Sequence, residues 1–464
     1  MVGSSLAWWT WSTSSNEQTN VLVTVGGITI NYEDGENITN NNLIPTSTKE
    51  QGISKDITVS STGLVYLDLN MEVVTLDDGL KDASFKYEIY DGNNLVTGGN
   101  FANSNVGDNI ALLVGVEVTS TPVTYTLYIW IDGNMSNPNT MYNQNFEFRL
   151  NAKATDENSP SLATLRRLGL VVNDGTPDLS QIATTDEGIY AAEDDYGTSY
   201  YFRGAVENNY VYFAGFYWRI VRINGDGTIR MIYDGTSAHA NGEASNDRQI
   251  GTSAFNTNNN DNAYAGYMYG QLGASDYNST HENINDSTIK TAIDNWYKTN
   301  IVDAGYSDKV ADVIYCNDRS INNDNLGYGT SATYYRTSNI LTEDAIFICS
   351  QKNDRFTVND ITLGNGALTY PVGLITADEV YLAGGGYGVA NNSYYLRIGQ
   401  EYWTMSPARF NGTTMTMRSV FVSGNFGDYR NATLVIGVRP VISLKSTVEL
   451  QGNGTISSPY EVIS

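Results

Sequence analysis

The side chains that most often perform catalysis are scarce in this chain of 464 residues. It contains two histidines, His239 and His281, and two cysteines, Cys316 and Cys349. A Ser-His-Asp triad would have to use one of these histidines, and both lie in loop-like sequence rich in Asn and Ser. Neither histidine lies at metal-ligand spacing from a cysteine. We therefore predict no catalytic residue and no metal site built on these side chains.

The cysteines have a simpler interpretation. A single pair in an acidic chain of secreted character is typical of one disulfide, so Cys316 and Cys349 are predicted to be bonded. Two free buried thiols are the alternative.

Carboxylates are plentiful, but their spacing singles out no site. The acidic run is Asp186, Glu187, Glu193, Asp194 and Asp195. A calcium ion needs several converging oxygens, and neither this run nor the turn at 224–227 has the spacing of a calcium loop. No cofactor is predicted, with calcium as an open alternative. Paired carboxylates for glycoside hydrolysis also stay open, because no pair is distinguished.

A basic segment rich in aromatic residues interrupts the acidic chain. The whole chain has 26 Lys and Arg against 51 Asp and Glu, a net charge of −25, whereas residues 397–445 contain six basic residues and two acidic ones. Arginine beside Phe, Tyr and Met is the composition of binding interfaces. The segment is therefore a candidate for ligand contact, with an ordinary loop as the alternative. Arg439, which precedes Pro440 in a strand-like run, is instead predicted to be a buried ion-pair partner.

Composition and charge exclude several classes of protein. A net charge of −25 disfavours general nucleic-acid binding, which needs clustered Lys and Arg. A hydrophobic fraction of 41% disfavours disorder throughout, and no apolar run is long enough for a membrane span. Few Lys with many Asn, Tyr and Thr indicate an extracellular, cell-surface protein. The Ser-Leu-Ala at 5–7 has the form of a signal-peptidase site, with an ordinary first strand as the alternative.

Patterning divides the chain into two domains. Residues 1–19 are predicted to be a residual leader and N-terminal arm, and residues 20–155 a β-sandwich, because short alternating strands are separated by Asp-Gly and Gly-Asn turns. Residues 156–184 read as a linker with a short helix that Ser159 caps. Residues 185–464 mix short strands with few helices, including a hairpin at 210–233, an amphipathic helix at 287–301 and a capping box at 376–379. The predicted fold is mainly β with a minor α+β part.

Five stretches of the second domain resemble large secreted proteins of gut Gram-positive bacteria. They are Tyr-Trp-Arg-Ile-Val-Arg at 217–222, Tyr-Cys-Asn-Asp-Arg at 315–319, Gly-Leu-Ile-Thr-Ala-Asp-Glu-Val at 373–380, Tyr-Trp-Thr-Met-Ser-Pro at 402–407 and Gly-Val-Arg-Pro-Val at 437–441. The resemblance implies a C-type-lectin-like domain over 185–464. This fold is shared with formylglycine-generating enzymes and with the variable proteins of diversity-generating retroelements. The first domain has an N-terminal Ser-Leu-Ala-Trp followed by Thr and Ser, then the run 125–132 and a late strand at 146–152. In these features it is similar to camelysin-type secreted sandwich proteins.

The resemblance also implies where a ligand binds. In the variable proteins, residues between the Trp motif and the last strand contact the ligand. The corresponding residues here are Arg409, Phe410, Asn411, Met415, Met417, Arg418, Asn425, Phe426, Asp428, Tyr429, Arg430 and Asn431. The Glu-Pro-Asn and Trp-Asn-Asp triplets of calcium-dependent lectins are absent, and the cysteines precede the region where formylglycine-generating enzymes have theirs.

These observations together predict a secreted adhesin that binds without catalysis. The expected partner is a host or microbial surface protein or glycan, with self-association possible through the sandwich. One alternative is a structural fibre or pilus subunit that assembles through edge strands of the first domain. The other is an enzyme of the formylglycine-generating type.

Overall fold

The structure is a computed structural model that describes most of the chain. It describes residues 9–12, 20–25, 28–33, 45–62, 65–133, 141, 144–155, 159–173, 175–322, 325–339, 345–427 and 429–463. The fold is mainly β, with 38% strand and 14% helix, which confirms the predicted mainly-β class. The chain forms two compact units, residues 1–158 and 159–464. Within the described ranges, no helix is long and apolar enough to cross a membrane.

The first unit consists of strands in two sheets. The strands are β1 (Trp9–Ser12), β2 (Asn20–Val25), β3 (Ile28–Glu33), β4 (Pro45–Thr46), β5 (Ile53–Ser61), β6 (Val65–Leu76), β7 (Phe85–Asp91), β8 (Asn94–Asn100), β9 (Asn109–Val118), β10 (Val123–Asp132) and β11 (Phe146–Thr155). One sheet has the order β1-β11-β6-β9 and the other β2-β3-β5-β10-β7-β8, with β4 beside β10. The predicted leader site at 5–7 lies outside the described residues.

The two sheets of the first unit share one hydrophobic core. Leu67 and Met71 of β6 and Leu150 of β11 come from one sheet, and Leu127 and Ile129 of β10 come from the other. Because side chains alternate along a strand, every second residue of β10 enters this core. A single core between two sheets is the arrangement of a sandwich.

The second unit combines short strands with four α-helices among its described residues. The helices are α1 (Pro160–Arg167), α2 (Tyr277–Thr280), α3 (Thr288–Tyr297) and α4 (Ala377–Leu382). The strands are β12 (Asp186–Asp194), β13 (Gly197–Gly204), β14 (Tyr210–Phe213), β15 (Phe216–Ile223), β16 (Ile229–Gly235), β17 (Thr252–Ser253), β18 (Met268–Tyr269), β19 (Asn285–Asp286), β20 (Tyr315–Cys316), β21 (Thr333–Tyr334), β22 (Arg355–Phe356), β23 (Tyr402–Phe410), β24 (Met415–Val420), β25 (Arg430–Asn431), β26 (Ile436–Gly437), β27 (Val441–Leu444), β28 (Leu450–Gln451) and β29 (Tyr460–Val462).

Local sequence signals explain where these helices begin. Helix α4 has the predicted capping box, because the Thr376 side chain accepts from the Glu379 N–H and the Glu379 side chain accepts from the Thr376 N–H. Helix α3 has Ser287 as its N-cap, whose side chain accepts from the N–H of Lys290. Helix α1 has Pro160 at its start, but the predicted cap is corrected, because the Ser159 side chain makes no capping hydrogen bond and hydrogen-bonds to the hydroxyl of Ser161 instead. Leu165 of α1 belongs to the core of the second unit, so part of the segment expected as a linker packs into this unit.

Two larger sheets organise the second unit. The first has the order β12-β13-β15-β14-β29-β28, with β16 beside β15 and β27 beside β16. The second has the order β17-β26-β23-β24-β25, with β21 beside β23. Arg439 precedes β27 and is fully buried, and its guanidinium lies 2.8 Å from a carboxylate oxygen of Asp234. This confirms the predicted buried ion pair. Arg248 pairs with the same carboxylate at 2.7 Å.

Candidate functional site

The predicted contact residues divide into a buried group and an accessible group. Those in the core are Phe410, Met415, Met417, Arg418 and Phe426. Those that are half-buried or exposed are Arg409, Asn411, Asn425, Tyr429, Arg430 and Asn431. Asp428 lies outside the described residues. A ligand at the surface can touch the second group, whereas the first group acts from beneath it.

The burial of the first group follows from the position of its strands. Strands β23 and β24 form an antiparallel hairpin that has β25 on one side and β21 and β26 on the other. Every residue of β24 is buried, so Met415 and Met417 pack in the core of the unit. The sequence expectation of direct ligand contact is therefore corrected for these methionines, and likewise for Phe410 and Phe426, because their side chains have no free surface.

Arg418 is the buried member of this group whose side chain donates several hydrogen bonds to backbone carbonyls. Its Nε donates to the carbonyl of Thr337 at 3.0 Å, and one terminal nitrogen donates to the carbonyls of Thr337 and Ser338 at 2.7 and 2.8 Å. The other terminal nitrogen donates to the carbonyl of Gly427. Arg418 therefore ties β24 to two neighbouring segments. Its direct contact with a ligand, as expected from sequence, is corrected to a role in positioning.

Above Arg418, tyrosines and one further arginine form a surface that we name the arginine–tyrosine face. It consists of Tyr334, Tyr387, Arg409 and Tyr429. The Tyr429 ring centroid lies 4.5 Å from the guanidinium carbon of Arg409 and 4.8 Å from that of Arg418. The Tyr387 centroid lies 5.2 Å from the same carbon of Arg418. These cation–π distances link the face to its buried support.

Tyr334 joins the same face through strand pairing. It lies directly opposite Arg409 in the antiparallel pair of β21 and β23. Directly opposite residues of such a pair project their side chains to the same side of the sheet. Tyr334 is 43% exposed and Tyr387 is 41% exposed, so both present large aromatic surfaces to solvent.

Exposed aliphatic residues lie next to Tyr387. The N–H of Gly388 donates to the carbonyl of Phe426 at 2.9 Å, so the segment after Tyr387 runs beside the segment that contains Val422. Val389 is 51% exposed and Val422 is 53% exposed. The arginine–tyrosine face is thus bordered on this side by apolar surface.

The other accessible predicted residues have partners within the protein. The Nε of Arg430 lies 2.6 Å from a carboxylate oxygen of Glu401, and its guanidinium stacks on Phe421 at 4.2 Å. The side-chain oxygen of Asn411 accepts from the backbone of its own turn. The side-chain oxygen of Asn431 accepts from the amide of Asn259. These side chains therefore stabilise the loops in which they lie.

A second candidate is a polar pocket beside the disulfide. Four of the five stretches quoted for the family resemblance line it, through Arg222, Cys316, Glu379 and Ser406 as well as their neighbours. The charged residues of this pocket are Asp194, Asp195, Arg222, Arg230, Asp318, Arg336, Asp378 and Glu379. The acidic run at 186–195 is thus brought to arginines that are distant in sequence.

Most charges of the pocket are paired, although its lining contains five carboxylates and three guanidinium groups. Arg222 pairs with Asp194 at 2.5 Å and with Glu379 at 3.2 Å, and Arg230 lies 2.5 Å from Glu379. Burial opposes ionisation of Glu379, but the two guanidinium groups outweigh it and hold the pKa of this carboxyl below its usual range. Arg336 forms ion pairs with both Asp318 and Asp378 at the same pocket. Such mutual pairing describes a network that holds segments together rather than an open site.

The cysteines and histidines have structural roles in this unit. Cys316 and Cys349 form the predicted disulfide, which confirms that expectation. His239 lies between two carboxylates, with Nδ1 2.9 Å from Glu243 and Nε2 2.8 Å from Asp247. Although burial lowers it, these two partners raise the pKa of His239 above its ordinary value. Of the described residues, no group of three or more His, Cys, Asp or Glu is placed to hold a metal ion.

Sequence reasoning missed Tyr334 and Tyr387. Each lies outside the segment 397–445 that the charge pattern selected, and neither is in a stretch with a local binding signal. Only the pairing of β21 with β23 and the contact of Tyr387 with Arg418 reveal them.

Comparisons with known proteins leave this site to be interpreted on its own chemistry. Neither a scan against protein-family models nor a search of curated proteins finds a match to this chain.

Proposed function

We propose that this protein is a secreted cell-surface adhesin that binds its ligand without catalysis, through the arginine–tyrosine face. The single observation that supports this most is that exposed Tyr334 and Tyr387 flank Arg409 and Tyr429 over a fully buried arginine. Tyrosine and arginine held rigidly at a surface are the side chains that dominate binding energy at protein interfaces. The proposal includes a C-type-lectin-like fold for the second unit.

The rigidity of the support favours binding by a preformed surface. Arg418 is anchored by hydrogen bonds to backbone carbonyls on two other segments, so the rings above it are held before a ligand arrives. Surfaces that are ordered in advance lose less conformational entropy when they bind. The charged pocket offers less support for a function, because its arginines are all engaged in ion pairs with its own carboxylates.

The test is a binding screen with the full chain against arrays of extracellular proteins and glycans. The two face variants are Tyr387→Ala and Tyr429→Ala, and the matched control is Tyr212→Ala, because Tyr212 is 37% exposed on strand β14. We expect each face variant to weaken binding at least about tenfold, the usual effect at an interface hot spot, and the control to leave it unchanged. Binding that is equally strong in all three variants would refute the proposed site.

A second candidate function is a fibre subunit that assembles through the first unit. Strand β8 is at the end of its sheet, where it pairs with β7 among the described strands. Its residues Leu95 and Val96 are 55% and 43% exposed. An exposed apolar edge strand is a template for pairing with another chain. Filaments in negative-stain micrographs of the wild type that are lost in Val96→Lys would favour this function, and a monomer at all concentrations would exclude it.

A further inference from the structure

Arg409 differs from Arg418 and Arg430 because, among the described residues, neither a carbonyl nor a carboxylate accepts a hydrogen bond from its guanidinium. Among the described residues it has neither an ion pair nor a side-chain hydrogen bond, and its Nε is buried without a partner. Its guanidinium contacts the ring of Tyr429, whose centroid lies 4.5 Å from the guanidinium carbon. A stacked ring does not accept from the edge of the guanidinium, so within the described part of the chain these N–H groups have no protein acceptor.

The neighbouring arginines show how unusual this is in a protein with a net charge of −25. Arg430 is paired with Glu401 at 2.6 Å, and Arg439 is paired with Asp234 at 2.8 Å. Arg418, which contacts the same ring of Tyr429, gives its N–H groups to uncharged carbonyls. Two guanidinium groups therefore surround one ring, and neither has a carboxylate partner among the described residues.

An unpaired, partly desolvated guanidinium is unfavourable until it meets an anion. The terminal nitrogens of Arg409 are not among its buried atoms, so a ligand carboxylate can reach them and form charge-assisted hydrogen bonds there. The planar guanidinium of Arg409 can stack on Tyr429 and still offer two parallel N–H groups at its edge, the geometry that a carboxylate accepts. The site thus favours a negatively charged ligand despite the acidity of the whole chain.

We infer that the ligand is an acidic segment of a partner protein, in which an Asp or Glu carboxylate pairs with Arg409. This inference rests on the proposed function and names the chemistry of its partner. A protein is favoured over an acidic glycan because Tyr387, which contacts Arg418, continues into exposed Val389, and the segment that contains exposed Val422 runs beside it. Aliphatic and aromatic side chains beside a carboxylate are what a protein segment supplies, and they match this apolar border.

The test selects peptides without assuming a ligand. A display library of random 12-residue peptides is selected at physiological salt on the immobilised full chain, on Arg409→Gln and on Lys298→Gln. The last variant removes the same charge from a residue whose side chain is 54% exposed and pairs with Asp303, so it controls for net charge. Synthetic peptides from the wild-type selection are then measured for affinity to all three proteins. Each peptide is compared with a version in which its Asp is replaced by Asn or its Glu by Gln.

We expect Asp or Glu to be enriched among peptides selected on the wild type and on Lys298→Gln, but not on Arg409→Gln. The acidic peptide should bind Arg409→Gln at least about tenfold more weakly than it binds the wild type. The version of the peptide with Asn or Gln in place of the acid should bind both proteins equally. Absence of acidic enrichment on the wild type, or its persistence on Arg409→Gln, would overturn the inference. Binding of hyaluronate that depends on Arg409, with no acidic peptide selected, would overturn the choice of a protein partner.

The outcome also separates this inference from the proposed function. If Tyr387→Ala abolishes binding of the selected peptides while Arg409→Gln does not, the face is a binding site and the acidic partner is wrong. If neither change affects binding, the site itself is wrong as well.

Discussion

Replacement of Arg418 by Ala is the change that best distinguishes a positioning role from direct ligand contact. From the sequence, Arg418 is expected to contact ligand, and its loss should then leave folding nearly unchanged. The structure predicts the opposite. Arg418 is fully buried and donates hydrogen bonds to the carbonyls of Thr337, Ser338 and Gly427. Its removal takes a charged donor from all three carbonyls, of which that of Ser338 still accepts from the Tyr429 hydroxyl at 3.4 Å.

The size of the effect follows from those contacts. A hydrogen bond to a charged group contributes about 1.5–3 kcal/mol, and water that enters the vacated space replaces part of the loss for three acceptors. We therefore expect Arg418→Ala to lower the free energy of unfolding by about 4 kcal/mol. For a unit of this size, about 2 °C of melting temperature corresponds to each kcal/mol, which gives a shift of about 8 °C.

Arg409→Ala is the matched control on the same hairpin. Arg409 is half-buried and contacts Tyr429 without a side-chain hydrogen bond among the described residues. Loss of one cation–π contact lowers the free energy of unfolding by about 1 kcal/mol. Differential scanning calorimetry of the full chain measures both variants. A shift for Arg418→Ala that is no larger than that for Arg409→Ala would refute the reasoning.

Three further changes test the supports of the second unit. Two carboxylates raise the pKa of His239, so its stabilising effect is complete below the unfolded pKa of about 6.5 and is lost as pH rises through the folded pKa. Urea unfolding should therefore show that the difference in free energy of unfolding between wild type and His239→Gln shrinks above pH 6.5. Glu379→Gln removes the carboxylate that pairs with Arg230 and one of the two that pair with Arg222. It should lower the free energy of unfolding by about 3 kcal/mol in the same assay, and an unchanged value would contradict the paired network. Reduction of the disulfide between Cys316 and Cys349 opens a link across 33 residues and should lower the free energy of unfolding by about 4 kcal/mol, an expectation that equal denaturation midpoints with and without reductant would contradict.

Features that depend on neighbouring residues could be predicted from the sequence. The capping box of α4 is fixed by Thr376 and Glu379, which are three residues apart, and the alternation of β10 determines which of its residues enter the core. The burial of Arg439 could be predicted because it lies in a strand-like run, whereas its partner Asp234, 205 residues earlier, has no local signal. In each case the determining contacts are local or follow the period of the element.

Features that depend on distant segments could not be predicted in this way. The alternation of β24 suggests one exposed side, but both of its sides are covered, so Met417 and Arg418 are both buried. Tyr387 joins the arginine–tyrosine face only because Arg418 packs against it from a different strand. Glu379 serves as a helix cap and also as the partner of Arg222, which precedes it by 157 residues. No local pattern records such contacts.

The affinity of the full chain for its first identified ligand, compared between wild type and the double variant Tyr387→Ala/Tyr429→Ala, tests the central claim most directly. The claim is that the arginine–tyrosine face binds the ligand. It predicts at least about a tenfold loss of affinity in the double variant, while calorimetry shows that the protein is still folded. An affinity equal to that of the wild type in a folded double variant would contradict it.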